Sequence, residues 1–339
     1  MILAVDIGGT KTYAALFPAS PQDASWRPSH TARWPSKEFR FELINDFLRA
    51  NPSPPIQAAG FSLAGPIVGD QCRLVNLDRT LDLSSVRREL PQTDRIVFAN
   101  DLVATAHSLS VLPASSFIRL TEHLPPLLTP EFRDNPRRPY PVAVIALGTG
   151  LGQSLLISPE QALSSEGAHA DFAPGTEQQT RLWRFLKSQF GHVSYERLLS
   201  GPGLCNIYSF LAQENPADTA TTSISSQAAA PTPPEITSRA LNGTCPLCQA
   251  ALALFIDILG AQAGNLALQT MSLGGVCLAG GIIPHILPAL RQKRLRRAFL
   301  DKGRFRSVLQ PVPIAAVCDD QAALWGAAKM ALNICNEQR

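Results

Sequence analysis

Asp6 closes a short apolar run, and Gly8-Gly9-Thr10-Lys11-Thr12 follows it at once. Glycines let a backbone approach a ligand closely, and consecutive N–H groups beside a hydroxyl suit phosphate oxygens. The chain offers the same chemistry again in Gly148-Thr149-Gly150-Leu151-Gly152. Two such loops facing each other across a cleft could hold a polyphosphate between them. Neither is a P-loop. No glycine stands immediately before Lys11, and a strand-like run replaces the helix that must follow. The dinucleotide-binding fingerprint fails for want of the same helix. Asp6 adds a carboxylate suited to Mg2+, held directly or through water, because Mg2+ takes few carboxylates plus water and phosphate oxygens. At the matching place the second loop has Ala146, so one loop alone carries the charge. That asymmetry favours chemistry over turn-capping.

Asn100-Asp101 follows the apolar run 96–99. Ligands in open α/β sheets lie off the carboxyl ends of strands, so a carboxylate here points where a substrate would sit. A helix N-cap explains the same pair equally well, and local sequence leaves the two readings open. Glu166-Gly167-Ala168-His169 and Glu196 bring further carboxylate and imidazole groups, although a lone histidine is more often a satisfied core or surface residue. In Ala279-Gly280-Gly281-Ile282 the glycines would let a flat ring or sugar press on the backbone, and a plain strand–helix turn is the bland alternative. Cys245-x-x-Cys248 has zinc-like spacing but lacks a second pair, and an apolar helix follows it, so it reads as a helix start.

These groups need elements to hold them. Residues 1–7 and 13–17 read as two strands of a hairpin around the first glycine loop. Phe39, Leu43, Ile44, Phe47 and Leu48 recur at helical spacing, residues 58–63 and 96–99 read as buried strands, and a helix is expected over about 102–109. Strands alternating with helices argue for an α/β architecture. Residues 2–10 line up with residues 142–150, Gly8 on Gly148, and each copy runs into a second apolar strand. The repeat predicts two related halves, each opening with a glycine-tipped hairpin. We expect the boundary near Val111, with a C-terminal helix from about Asp320 returning to the first half: residues 1–111 plus 320–339, then 112–319. Proline-rich stretches at 124–141 and 212–234 read as surface connections.

Composition narrows the class without naming a reaction. The 339 residues exceed a usual single domain, and 45% of them are hydrophobic against 17% charged, enough for substantial cores. With 30 Lys and Arg against 27 Asp and Glu, a net charge of +3 makes no case for nucleic acid or a membrane surface. The cluster Arg291, Lys293, Arg294, Arg296 and Arg297 reads as a solvated helix face. Seven cysteines cannot all pair within one chain, and several lie in apolar runs, which suits reduced thiols in the cytoplasm. No signal peptide opens the chain, since Asp6 interrupts the first apolar run. The long apolar stretch 250–281 carries Asp257, Gln262, Asn265 and Gln269 at roughly helical spacing and is broken by Gly274-Gly275. A buried helix followed by a buried strand fits it better than a membrane span.

Taken together, the motifs resemble the bacterial glucokinase family, within the sugar kinase/actin/heat-shock ATPase superfamily. The likeness is carried by Asp6-Ile7-Gly8-Gly9-Thr10, Ser62-Leu63-Ala64-Gly65-Pro66-Ile67, Asn100-Asp101, Gly148-Thr149-Gly150-Leu151-Gly152 and Glu166-Gly167-Ala168-His169. It continues through Gly191-His192-Val193-Ser194-Tyr195-Glu196, Leu199-Ser200-Gly201-Pro202-Gly203 and Ala279-Gly280-Gly281-Ile282, in family order over nearly the whole chain. The resemblance implies two RNase H-like domains of the actin-like ATPase fold flanking a central cleft. It implies transfer of the γ-phosphoryl of ATP, as the Mg2+ complex, to the 6-hydroxyl of glucose. By position Asp101 resembles the general base, and Asn76, Asn100, Glu166, His169 and Glu196 resemble sugar-hydroxyl binders. Asp6, Gly8, Gly9, Thr10, Lys11, Gly148, Thr149 and Gly150 resemble the metal and phosphate positions, and Gly280 and Gly281 the adenosine corner. A homodimer is a family expectation. Arg79 stands where many members have Trp, which leaves room for another hexose such as glucosamine or mannose. The ROK kinases' cysteine-rich zinc motif is absent. A non-catalytic sugar-sensing regulator would need a DNA-binding or partner module, for which the opening hairpin leaves no room.

Overall fold

A computed structural model describes residues 1–20, 26–74, 77–121, 140–214 and 231–336. Strands β1 (Ile2–Ile7) and β2 (Lys11–Phe17) form the expected antiparallel hairpin, and β3 (His30–Pro35) pairs beside β2. Helix α1 (Phe41–Ala50) follows, starting two residues after Phe39, which is buried in the preceding turn. Next come β4 (Ala58–Leu63), a small meander of β5 (Ile67–Val68), β6 (Gln71–Leu74) and β7 (Arg79–Asp82), and helix α2 (Leu83–Glu89). Strand β8 (Ile96–Asn100) runs into α3 (Asp101–Ser108), and β9 (Phe117–Arg119) follows. The first sheet has the order β3-β2-β1-β4-β8, with β1, β4 and β8 parallel.

The second half repeats the scheme. Strands β10 (Val142–Leu147), β11 (Leu151–Leu156) and β12 (Ala162–Ser165) are antiparallel neighbours. Helices α4 (Glu177–Phe190), α5 (Gly201–Glu214), α6 (Pro233–Leu241) and α7 (Pro246–Gln269) precede β13 (Gly275–Ala279). Helices α8 (Ile283–Leu290), α9 (Lys293–Leu300) and α10 (Arg306–Leu309) then lead to β14 (Ile314–Val317) and α11 (Ala322–Asn336). The second sheet runs β12-β11-β10-β13-β14-β9, with β10, β13 and β14 parallel. Its first five strands match the first sheet in order and direction, so the 140-residue echo between the glycine loops, Gly8 to Gly148, is a repeat of topology as well as of sequence.

In both halves the fifth strand ends in a carboxylate pair or near-pair and turns into a helix: β8 into α3 at Asn100-Asp101, and β14 into α11 after Asp319-Asp320. Helices α3 and α11 pack on each other between the two sheets. Their core joins Ile2 and Ala4 of β1, Val144 of β10 and Cys277 of β13 with Ala104, Leu324 and Ala328. Contact is close because Gly326 lies against the Ala104 carbonyl and Gly60 against that of Ala327, where any Cβ would collide with backbone. The opposite face of the first sheet is covered by α1, whose Ile44 and Phe47 meet Val5 and Phe61. Helix α7 fills the far face of the second sheet.

Among the described residues α7 is the one helix long and apolar enough to cross a membrane, but its apolar window is 72% buried within the fold. Two of its polar groups find partners within the fold. Asp257 pairs with Arg294 and Arg297, and Asn265 donates to the Tyr195 hydroxyl at 2.9 Å. Arg296 donates to the carbonyls of Val312 and Gln310, so part of the basic cluster pins α9 in place where a wholly solvated face was expected. Cys245 caps α7 through its sulfur, which accepts from the Cys248 N–H, and Pro246 occupies the first turn where no donor is needed. None of the seven cysteines is in a disulfide. The 212–234 connection is shorter than expected, because α5 continues to Glu214 and Thr232 opens α6 with a capping box to Glu235. Its remainder, residues 215–230, lies outside the described residues, as do 122–139 and Asn76.

Candidate active site

The β1–β2 register sets Asp6 opposite Tyr13 at the mouth of the hairpin. Asp6 is buried, and its one recorded side-chain partner is Ser62 of β4, whose hydroxyl donates at 2.7 Å. The glycine turn is tight, with the Gly8 N–H donating to the Lys11 carbonyl at 3.1 Å. Of the two roles that local sequence leaves open, the cap falls to Asn100. The Asn100 side chain accepts from the Leu102 N–H at 2.9 Å and so caps α3, while its amide donates to the Gly65 carbonyl at 3.3 Å. Asp101, one residue on, also takes hydrogen bonds from the start of α3 and lines a cleft of about 610 Å3 with Asp6 and residues 8–11.

Both carboxylates are held in a state that resists ionisation. Burial pushes Asp6 up to about 7, opposed by the Ser62 hydroxyl and reinforced by the charge of Asp101. Burial also pushes Asp101 up to about 6, against hydrogen bonds from the start of α3 and Asn100. Two costly carboxylates in one cleft call for a cation. Among the described residues no group of three or more His, Cys, Asp or Glu forms a metal cage. That donor set fits Mg2+, which draws most of its ligands from water and phosphate, and does not fit structural zinc.

Gly280 and Gly281 line the same cleft. Gly280 has φ 93° and abuts the backbone of Leu147, so this corner requires glycine. It is stitched to the second hairpin, since the Ile282 N–H donates to the Leu147 carbonyl at 3.1 Å. Beyond it an apolar cavity of about 370 Å3 is walled by Leu204, Pro233, Thr237, Phe255, Ile282 and His285.

The other expected residues lie farther out. Ala146 reaches the cleft, but Gly148, Thr149 and Gly150 at the hairpin tip do not line it. The tip is held from behind, where the Gly148 carbonyl accepts from the Gly201 N–H at 2.9 Å. Glu196 accepts from the Leu151 N–H at 3.0 Å, which ties this half-buried carboxylate to the same hairpin. Glu166 and His169 flank a short turn after β12, 3.8 Å apart and largely exposed, at 85% and 58% for the side chains. Arg79 donates to the Phe39 carbonyl at 3.0 Å.

Several cleft residues escaped the sequence reading. Asp320 accepts from the Tyr13 hydroxyl at 2.9 Å and lies 3.9 Å from the Lys11 ammonium, so it braces the first hairpin. Asp319 accepts from Ser116 at 2.8 Å and from the Gln321 N–H at 3.0 Å. A signal for both was available: they stand just past the carboxyl end of a strand, much as Asn100-Asp101 stand at the end of β8. Tyr13 carried no such mark, because an aromatic in a strand reads as core.

A family model described as Glucokinase matches residues 3–334. A glucokinase of Yersinia pestis (strain Pestoides F) is 31% identical over 331 residues, spanning 95% of this chain and 93% of the relative. A solved glucokinase from an Antarctic psychrotroph has a TM-score of 0.83 at 28% identity, covering 97% of this chain and 98% of that one. A glucokinase from Balamuthia mandrillaris, solved in complex with glucose, has a TM-score of 0.71 at 24% identity over 97% and 93% of the two chains, a likeness of fold.

Proposed function

The chain belongs to the glucokinase family and is an ATP-dependent glucose kinase, and from that premise we propose that Asp101 is the general base of the transfer. The observation that carries this reading is the juxtaposition of Asp101 with Asp6 and the first glycine loop in one cleft. Asp101 accepts the proton of the sugar 6-hydroxyl as that oxygen attacks the γ-phosphorus of ATP. Its raised proton affinity, at about 6, leaves it mostly ionised yet basic enough for the task near neutral pH. Asn100 orients it by fixing the first turn of α3.

Asp6 holds Mg2+, directly or through water. When bound, the ion neutralises charge on the phosphate oxygens. Gly9 and Thr10 present backbone N–H groups and a hydroxyl to the same phosphates, Gly8 lets the tight turn approach them closely, and Lys11 adds a positive charge. Gly148, Thr149 and Gly150 grip the phosphates from the second hairpin. Gly280 and Gly281 back the adenosine, and the apolar cavity beyond Ile282 receives the base.

Asn76, Asn100, Glu166, His169 and Glu196 bind the sugar hydroxyls, each of which donates and accepts. Glu166 and His169 are too exposed to enclose a sugar as they stand, so closure of the two halves over glucose belongs to the same reading. It would exclude water as a competing acceptor. The matching strand orders support two RNase H-like domains in an actin-like pair, residues 1–111 with 320–339 and residues 112–319. A cytoplasmic homodimer completes the proposal; thiols without disulfides suit that compartment.

The deciding experiment is Asp101→Asn. It should bind glucose like the parent and lose turnover, and comparable turnover would remove Asp101 as the base. A small-angle scattering profile unchanged by saturating glucose would count against closure. Arg79 is turned onto the Phe39 carbonyl, so the sugar loop lacks the aromatic wall that a Trp would give it. Comparing kcat/KM for glucose, glucosamine and mannose tests whether glucose is the preferred hexose.

A further inference from the structure

Strand β11 leaves the second glycine hairpin and runs directly under the first turn of α3. Gly152 and Ser154 share one face of that strand, and both meet Leu102, the residue after Asp101. The leucine side chain occupies the space that a Cβ on Gly152 would fill. The Ser154 hydroxyl, fully buried, donates to the Leu102 carbonyl at 2.8 Å. A carbonyl in the first turn of a helix already has a partner within the helix, so this bond is not needed to satisfy α3. What it does is fix where the helix begins.

From this we infer that Ser154, with Gly152, is a positioning residue for Asp101 and makes the second phosphate hairpin and the catalytic carboxylate one mechanical unit. The inference rests on Asp101 being the base. A hairpin seated on ATP would then carry the start of α3 with it, aligning Asp101 when the phosphates are in place. Phosphoryl transfer gains most of its rate from such alignment, and displacements near 1 Å are costly.

The test compares Ser154→Ala, Ser154→Cys, Ser154→Thr and Asp101→Asn in steady-state assays with ATP, Mg2+ and glucose, below the melting midpoint of each protein. Ser154→Ala and the near-isosteric Ser154→Cys should lose about tenfold in kcat, with KM for glucose and ATP moving by no more than about twofold. Ser154→Thr keeps the hydroxyl and should recover most of that loss. Parental kcat in both the Ala and Cys variants overturns the inference. So does an equal loss in all three, or a loss carried by KM. Asp101→Asn separates the two assignments. If it turns over like the parent, the base reading falls and the positioning role with it. If it is inactive while Ser154→Ala is fully active, only the positioning role falls.

Discussion

Asp101 and Asp6 face one cleft from different elements, and the charge of Asp101 adds to the burial that pushes the Asp6 carboxyl up to about 7. In the unfolded chain Asp6 ionises at its ordinary value of 3.8. Between these values the folded protein keeps a proton that the unfolded chain has released. The associated stability is therefore full below the unfolded value and lost as pH rises through about 7. In metal-free buffer the melting midpoint should fall as pH rises from about 5 to about 8. Asp6→Asn removes the titration and should flatten that fall, gaining on the order of 2–4 kcal/mol at the alkaline end. Thermal melts of both proteins across this range check the prediction, and parallel slopes would sink it.

The Asn100 side chain accounts for a second expectation. It caps α3 and reaches Gly65, so Asn100→Ala should lose both contacts. Losing a cap costs about 0.5–2 kcal/mol of stability, read by denaturant titration. Because the same turn carries Asp101, kcat should fall by more than stability alone explains. Asn100→Asp retains a capping oxygen but no donor for Gly65, so it should restore only the cap's share of the stability, while adding a like charge beside Asp101 that keeps kcat low. A variant pair that moves stability and kcat together would argue against the separate orienting role.

Much of this arrangement could be read before any coordinates. The first hairpin, β4, β8 and α3 lie within a residue or two of their expected bounds, because apolar runs ended by Gly8-Gly9 or Gly65-Pro66 leave little choice. The Asp6, Gly8 and Asp101 cluster was legible for a related reason: each lies at or just beyond the carboxyl end of a strand, where α/β folds expose their ligands, although β8 is half-buried where a buried strand is expected. Tyr13 and Asp320 were not. Their hydrogen bond spans 307 positions along the chain, and no local pattern reports a contact made by a returning C-terminal helix. Ser154 was equally silent, since a serine in a strand has many uses, and its partner is a backbone carbonyl 52 positions away.

Gly280 and Gly281 stand side by side, and their substitutions should separate folding from binding. At Gly280, φ is 93° and a Cβ would strike Leu147, so Gly280→Ala should destabilise by about 1–3 kcal/mol and weaken ATP binding as β10 shifts. At Gly281 a Cβ meets nothing within 4 Å. Gly281→Ala should therefore melt like the parent yet show a raised KM for ATP, because the added methyl lies in the cleft. Calorimetric unfolding beside ATP titrations distinguishes the two. An unchanged KM in Gly281→Ala would take this corner out of the nucleotide site.

The crossing of α3 and α11 sets the last expectation. Gly326 rests on the Ala104 carbonyl, one helical turn beyond Asp101, in a core shared by both sheets. A methyl group there cannot be accommodated by rotating a side chain, because the obstacle is backbone. Gly326→Ala must spread the helices or shift one along the other, and overpacking of this kind costs about 1–3 kcal/mol or more. Helix propensity works the other way, since alanine in a helix interior is favoured over glycine by about 1 kcal/mol. The steric term should win, giving a net loss of stability. A helix-spreading change also moves the start of α3, so kcat should fall while the melting midpoint still lies well above the assay temperature. Gly148→Ala supplies the contrast: its Cβ would enter open space, so its stability should match the parent. Equal melting midpoints for Gly326→Ala and the parent would mean that the two central helices are less tightly engaged than their contact implies.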